Sequence, residues 1–351
     1  MRTQIKDNMI VTDTDQLLRQ EETNMKTRTI AGREVAPIGL GCMGLSHAYG
    51  TAIDKTEAII ILRQAYDMGY TLFDTAECYT GTNADGTTSY NEELVGEAIR
   101  SFRKKVFLAT KCGVQHTGHG LLTDSRPETI RKSVEGSLKR LGTDYIDLYY
   151  QHRIDPDVTP EEVAGAMADL IKEGKIRAWG ISETDESYLR RAHAVCPVAA
   201  IQNRFSMIAR WYEKTMFPVV EDLGIAYVAF SPIANGFLSG KYDQNSQFEQ
   251  GDFRGFMPQY TAEGMEKGKE LLELLNTLAA EKNATPAQLS LAWMLGKKDY
   301  IIPIPGSRKV ERLRENLASA NVELTSAEIA DIDKRLDGMD FLVFGGHAAT
   351  K

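Results

Sequence analysis

GLGCMG, residues 39–44, spells G-x-G-x-x-G. Its reading decides the fold, because a pyrophosphate cradle belongs to an open doubly wound sheet and a turn at a strand end does not. A cradle needs a strand before it, a helix opening inside it and an acidic residue about 20 positions further on. Residues 35–40 supply a plausible strand. The helix is missing: Leu45-Ser46-His47-Ala48-Tyr49-Gly50-Thr51 is loop chemistry, and the first convincing helix begins near Asp54. The acidic residue is missing too, since 58–65 reads AIIILRQA. The stretch reads better as a glycine-rich turn that ends a strand.

Outward from that turn, short apolar runs alternate with amphipathic ones. The strand candidates are PIGLGC (37–42), TLFDT (71–75), KVFLATK (105–111), YIDLYYQH (145–152), IRAWGIS (176–182), VAAIQN (198–203), AYVAFS (226–231) and YIIPIPG (300–306). Near-continuous apolar runs ending in a polar residue are how strands buried on both faces of a parallel sheet read. Between them, Ile130, Val134, Leu138 and Leu141 share one helical stripe, as do Val163, Met167, Leu170 and Ile171. Helix starts are marked by Ser125 with Glu128, Thr159-Pro160-Glu161-Glu162, Thr285 with Gln288, and Thr325 with Glu328. A further helix is expected over 264–281, a long loop over 240–262, and a small hairpin around Ala31-Gly32. Eight strand–helix units in roughly 280 residues fit an α/β (β/α)8 TIM barrel, with a doubly wound sheet as the alternative.

The remaining composition narrows the function. The 351 residues are 42% hydrophobic and 26% charged, with a formal net charge of −8 and no dominant basic stretch, which argues against a nucleic-acid surface. The apolar runs are too short to span a bilayer. Residues 1–26 lack the apolar core of a signal peptide and are expected to be a disordered extension, with one domain over 27–336 and a tail over 337–351. Cysteines 42, 78, 112 and 196 form no C-x-x-C pair and no metal spacing, so free thiols and a cytoplasmic location are expected.

In a barrel of this kind the chemistry stands where the strands stop. The second, third and fourth runs lead into Asp74 and Tyr79, Lys111, and His152. A tyrosine with a pKa near 10 exchanges protons poorly until its phenolate is stabilised. A neighbouring lysine does that, an aspartate keeps the lysine charged, and a histidine can orient a carbonyl oxygen. Each residue alone reads more readily as a solvated strand end than as a catalyst, but together they make a proton-delivery site without a nucleophile. Cys42, Cys78 and Cys112 follow the same strand ends: either they are small buried hydrophobes, or one is exposed beside Lys111 and readily oxidised.

FDTAECY (73–79), FLATKCG (107–113), DLYYQHRID (147–155), WGISE (179–183), IQNRFS (201–206), FSPIANGFLSGKY (230–242) and PIPGSRKVERLRENL (303–317) resemble the aldo-keto reductases over about residues 27–336. The resemblance implies NADPH-dependent reduction of aldehydes and ketones. Tyr79 is then the general acid, Lys111 and Asp74 lower its pKa, and His152 orients the carbonyl while hydride passes from nicotinamide C4. It also implies that Ser182 and Gln202 hold the carboxamide, with Phe230 stacked on the nicotinamide ring. Ser231, Pro232, Gly236, Leu238 and Lys241 would follow the pyrophosphate, and Gly306, Ser307, Arg308, Arg312, Glu315 and Asn316 the adenosine end. Glu183 stands where many members have Asn.

On this reading the glycines of 39–44 let the backbone, with Gly41 and Met43, pass close under the nicotinamide. Arg308 and Arg312, one turn apart on a helix opening after the eighth strand, suit a 2′-phosphate and so NADPH over NADH. His47, Tyr49, Trp211 and Arg254 are expected to line a mouth that takes aromatic or apolar carbonyl substrates. Two other functions stay open. One is a barrel glycosidase, for which Asp74 and Glu77 are neighbouring carboxylates on one strand end only. The other is a cofactor-binding sensor or partner subunit with the same four residues. Nucleic acid, membrane and metal are not expected, and the oligomeric state is not written in the chain.

Overall fold

The computed structural model describes residues 26–117 and 120–344. An antiparallel hairpin comes first, β1 (Arg28–Ile30) and β2 (Arg33–Val35). Then follow β3 (Leu40–Gly41), β4 (Leu72–Asp74), a hairpin of β5 (Thr80–Thr82) and β6 (Thr88–Tyr90), β7 (Phe107–Cys112), and a second hairpin of β8 (Val114–Thr117) and β9 (Gly120–Thr123). The remaining strands are β10 (Ile146–Gln151), β11 (Ile176–Ser182), β12 (Ala200–Arg204), β13 (Ala226–Phe230) and β14 (Ile301–Pro303).

Strands β3, β4, β7 and β10 to β14 form one eight-stranded parallel sheet in chain order. Its two edges meet: Gly39 N–H donates to Pro303 O at 2.9 Å and Gly41 N–H to Pro305 O at 3.4 Å. The sheet is thereby a closed (β/α)8 barrel with no free edge.

The opening motif makes that seam. A Cβ on Gly41 would lie 2.6 Å from Ile304 O, and one on Gly306 would lie 2.3 Å from Gly41 O. Beside the expected passage under a cofactor, Gly41 thus meets a second demand, close approach to the backbone that follows the last strand.

Alternation along the strands builds two cores. Leu148 and Tyr150 of β10, and Ala226 and Val228 of β13, pack inside the barrel with Leu72 and Phe107. Tyr149, Tyr227 and Ala229 face outward into the layer under the helices. The first hairpin supplies the barrel floor, Ile30 and Val35 joining the inner cluster. Arg33 and Arg103 neutralise the fully buried Asp147.

The outer helices begin largely where their caps indicate. Asp54 accepts from the Thr56 and Glu57 N–H groups to start Lys55–Asp67, and full capping boxes form at Thr159, Thr285 and Thr325. Ser125 does not cap. Pro127 opens that helix after Arg126, while buried Ser125 accepts from Gln151 Nε2 at 3.0 Å and donates its N–H to Asp155 at 2.8 Å. The long loop is stitched to the loop after β3 by Phe253 N–H donating to Ala48 O at 2.9 Å and Gly50 N–H to Gly251 O at 3.2 Å. Among the described residues no helix is long and apolar enough to cross a membrane.

Candidate active site

A cavity of about 760 Å³ opens at the carboxyl ends of the strands, within the range of small-molecule sites. Asp74 ends β4, Lys111 stands near the end of β7, and His152 follows β10. Tyr79 sits in the turn leading into β5, where its N–H donates to Ala76 O at 3.1 Å. The four converge. Lys111 is fully buried and donates to the Asp74 carboxylate, to Thr75 O at 2.8 Å and to the Tyr79 hydroxyl at 3.3 Å. Gln202 Nε2 donates to the second Asp74 oxygen at 2.7 Å, so that carboxylate is held from both sides.

Burial pulls the Lys111 pKa down, but Asp74 and Tyr79 more than offset it, and the ammonium is held charged. For Tyr79, burial pushes the phenol up, Lys111 pulls it down and Asp74 pushes it up, leaving it above its ordinary value. The expectation that Asp74 lowers the Tyr79 pKa is therefore corrected: its negative charge opposes the phenolate directly and helps only through Lys111. The tyrosine is a phenol, ready to give a proton. Burial, reinforced by Arg153 and Lys111, drives His152 well below its usual pKa, so its ring is neutral at neutral pH. Its Nδ1 lies 3.4 Å from Cys78 Sγ. Burial pushes the Cys78 thiol up to about 12, so an S–H faces that nitrogen and donates to it, and the ring proton is assigned to Nε2.

The cysteines do not ring the mouth. All four are free and buried, and none lines the cavity. Burial raises Cys42 and Cys112 far above the ordinary thiol range, overriding the pull of Lys111 on Cys42, so no reactive thiolate is favoured there. Glu77 is also turned away from the cavity, accepting from Gly113 N–H at 2.9 Å and Ser133 Oγ at 3.2 Å. Asp74 thus lacks the second carboxylate that a glycosidase would take from this turn.

Of the residues expected at a cofactor, Gly41 and Met43 line the cavity beside Ser182, Gln202 and Phe230. So do Ser231, Pro232, Gly236 and Lys241 after β13, and Gly306, Ser307, Arg308, Arg312, Glu315 and Asn316 after β14. Leu238 does not. It is fully buried in the outer core, because the backbone turns it inward within the 3₁₀ segment Ala234–Ser239. Arg308 also differs from expectation: the helix is Val310–Ala318, so Arg308 precedes it and shares no helical face with Arg312. It instead reaches across the seam to the carbonyls of Gly44 and Thr51. Glu183 lies outside the cavity lining and accepts from Arg204 N–H at 2.9 Å. Glu183, Ser231, Ala234 and Asn235 all hold positive φ (55°, 51°, 48° and 60°), so backbone strain gathers at the ends of β11 and β13, as at functional sites.

A phosphate-bearing dinucleotide fits these residues. Arg308 Nη2 is buried with no hydrogen-bond partner, and Lys241, Lys309 and Arg312 bring further positive charge to the same wall. Phe230, the last residue of β13, brings an aromatic ring to the same cavity, with the Arg153 and Arg204 guanidinium carbons 5.8 and 4.9 Å from its centroid.

At the mouth, His47, Tyr49 and Arg254 line the cavity as expected. His47 stacks on Tyr79, ring centroids 5.9 Å apart, and Arg254 is tied to Asp252 and Tyr242. Trp211 does not line it. It packs against the outer core beside Tyr212, ring centroids 6.0 Å apart. Residues on the cavity wall that the sequence reading does not single out include His116, Arg153, Arg204, Asn235, Lys309 and Phe344. Arg153 and Arg204 carried a usable signal, since each directly follows or ends an apolar run. Phe344 carried none, being brought there by Gln259 Oε1, which accepts its N–H at 3.1 Å.

Comparison with known proteins agrees with this geometry. The model of the Aldo/keto reductase family matches residues 37–337. The chain is 38% identical over 303 residues to probable aldo-keto reductase 1 of Glycine max, covering 86% of this chain and 85% of that protein. A glycerol dehydrogenase from Gluconobacter oxydans superposes with a TM-score of 0.78 at 27% identity, covering 89% of this chain and 95% of the other. An aldo-keto reductase from Klebsiella pneumoniae, solved in complex with NADPH, gives a TM-score of 0.68 at 28% identity over 89% of this chain and 95% of its own.

Proposed function

The chain belongs to the aldo/keto reductase family, and from that premise we propose that it reduces aldehydes and ketones to alcohols with NADPH, Tyr79 giving the proton. The observation that carries this reading is the run from Tyr79 through buried Lys111 to Asp74, whose two ends line the cavity. When bound, the dihydronicotinamide supplies a hydride to the carbonyl carbon.

The chain's own residues do the rest. Tyr79 donates its phenolic proton to the carbonyl oxygen as negative charge develops there. Lys111 then faces the phenolate left behind, and Asp74 keeps Lys111 charged and in place. Neutral His152 offers its Nε2–H to the same oxygen, which orients the carbonyl without adding a competing acid. Phe230 forms the floor for the nicotinamide, with Ser182 and Gln202 at its carboxamide. Lys241, Arg308 and Arg312 meet the phosphates, and the unpartnered Arg308 Nη2 favours a cofactor with an extra phosphate over one without. The four free thiols suit a reducing cytoplasm.

The test is NADPH consumption with a panel of aliphatic and aromatic aldehydes and ketones. Turnover abolished by Tyr79→Phe supports the reading. Tight NADPH binding without turnover of any carbonyl would instead make the barrel a cofactor sensor or partner subunit.

A further inference from the structure

Arg204 ends β12 in direct register with Phe230 of β13. Only 8% exposed, it lines the cavity with its guanidinium carbon 4.9 Å from the Phe230 ring centroid and 5.9 Å from that of Phe344. The other cavity arginines each hold at least one hydrogen-bond or ion-pair partner, though Arg308 keeps its Nη2 unpaired. Arg153 donates to His152 O and Ser182 Oγ, Arg254 pairs with Asp252, Arg308 holds the carbonyls of Gly44 and Thr51, and Arg312 pairs with Glu315. Among the described residues, no hydrogen bond or ion pair is made by the Arg204 guanidinium, and its Nε is buried without a partner. Glu183, the acid whose charge acts on Arg204, is engaged by the Arg204 backbone N–H.

A buried cation without an anion is strongly unfavourable, and burial accordingly pulls the Arg204 pKa down, with Glu183 opposing only in part. Such a group is retained where a ligand completes it. The cofactor's phosphates have their own cations after β13 and β14, whereas Arg204 shares the Phe230 ring with Arg153, the residue that follows His152 in the chain. A guanidinium fork matches a carboxylate or phosphate with two parallel hydrogen bonds.

We propose that Arg204 receives an anionic group of the substrate, so that this reductase takes carbonyl compounds carrying a carboxylate or a phosphate ester. The inference rests on the reductase reading above and narrows it. It departs from the apolar substrate expected from the aromatic mouth, whose rings then contact only the substrate's body.

The test compares matched aromatic aldehydes on the NADPH-loaded enzyme. 4-Formylbenzoate is set against 4-formylbenzamide, and 4-formylphenyl phosphate against 4-methoxybenzaldehyde, which separates carboxylate from phosphate. The wild type is expected to favour at least one acid over its neutral partner in kcat/KM by about tenfold to a hundredfold, the range of one charge-assisted hydrogen bond. Arg204→Met is expected to cut that ratio at least tenfold, chiefly through KM, and Arg204→Lys to keep part of it. Circular dichroism melting checks that both variants fold. A wild-type ratio at or below one for both pairs overturns the proposal without any variant. A ratio untouched by Arg204→Met, with NADPH affinity lost instead, overturns it by assigning Arg204 to the cofactor. If no aldehyde turns over, the reductase reading fails by itself. Calorimetric binding of 4-formylbenzoate to wild type and Arg204→Met with NADP+ bound then decides on Arg204: equal binding, or none, overturns the proposal.

Discussion

The Lys111 ammonium stands 3.3 Å from the Tyr79 hydroxyl and 4.9 Å from the centroid of its ring. One positive charge thus faces the only oxygen that a departing proton would leave negative. Tyr79→Phe keeps the ring and removes that oxygen. The expected result is a loss of about 10²- to 10⁴-fold in turnover, with NADPH affinity near wild type by fluorescence titration. A variant keeping more than a tenth of wild-type turnover, with chemistry rate-limiting, refutes the role.

The same pair sets a pH dependence whose sign differs by direction. Burial raises Tyr79 above its ordinary 10, Lys111 opposing and Asp74 adding. Reduction uses the protonated phenol, so kcat/KM for an aldehyde should hold level from neutral pH up to about 10 and fall only beyond it. Oxidation of the alcohol uses the phenolate, whose fraction grows with pH below the pKa, so that rate should climb across the same interval. Initial rates in both directions measure this. A reduction rate that falls steadily from neutral pH upward contradicts it.

Arg308 reaches across the barrel seam and keeps one buried nitrogen without a partner. Arg308→Gln should weaken NADPH binding by about 1.5–3 kcal/mol, the scale of a charged hydrogen bond, while sparing NADH. Titration of both cofactors against both proteins is the measurement. Equal losses for NADPH and NADH would place Arg308 away from the extra phosphate.

Burial should keep the thiols unreactive. Cys78 is the most exposed of the four at 8%, and its thiol is pushed up to about 12. A disulfide reagent at neutral pH should label none of them in the native enzyme while labelling all four after denaturation. Rapid native labelling, or peroxide inactivation relieved by NADPH, would return a cysteine to the mouth.

Gly41→Ala tests the seam. Its new Cβ would lie 2.6 Å from Ile304 O, a backbone atom of the facing edge that cannot swing away. Forced overpacking of this kind costs about 1–3 kcal/mol. A lowered melting temperature, with activity partly retained below it, is expected. An unchanged melting temperature would mean that the two edges can part without loss.

Much of the barrel was legible along the chain. IRAWGIS coincides with β11 to the residue, and the boxes at Thr159, Thr285 and Thr325 form as written. The Ser125 cap was misread because Pro127 at the first helical position needs no N–H partner, which left the serine to Gln151. PIGLGC shrinks to Leu40–Gly41, since its remaining residues serve the seam and the turn. The hairpins after β4 and β7 have strands of only three and four residues, and no periodicity announced them.

By itself the sequence determined a barrel of parallel strands and the set Asp74, Tyr79, Lys111 and His152 at their ends. Both are local properties: a strand buried on two faces needs an unbroken apolar run, and its end is where a polar side chain can emerge. Only the tertiary structure decided which of those side chains are already engaged. It placed Gln202 on Asp74, buried Leu238 in the core and packed Trp211 against it, drew Arg308 to Gly44 across the seam, and left Arg204 beside Phe230 without an anion. Those outcomes depend on segments far apart in the chain packing at one place, and nothing in the spacing of residues along either segment specifies its partner.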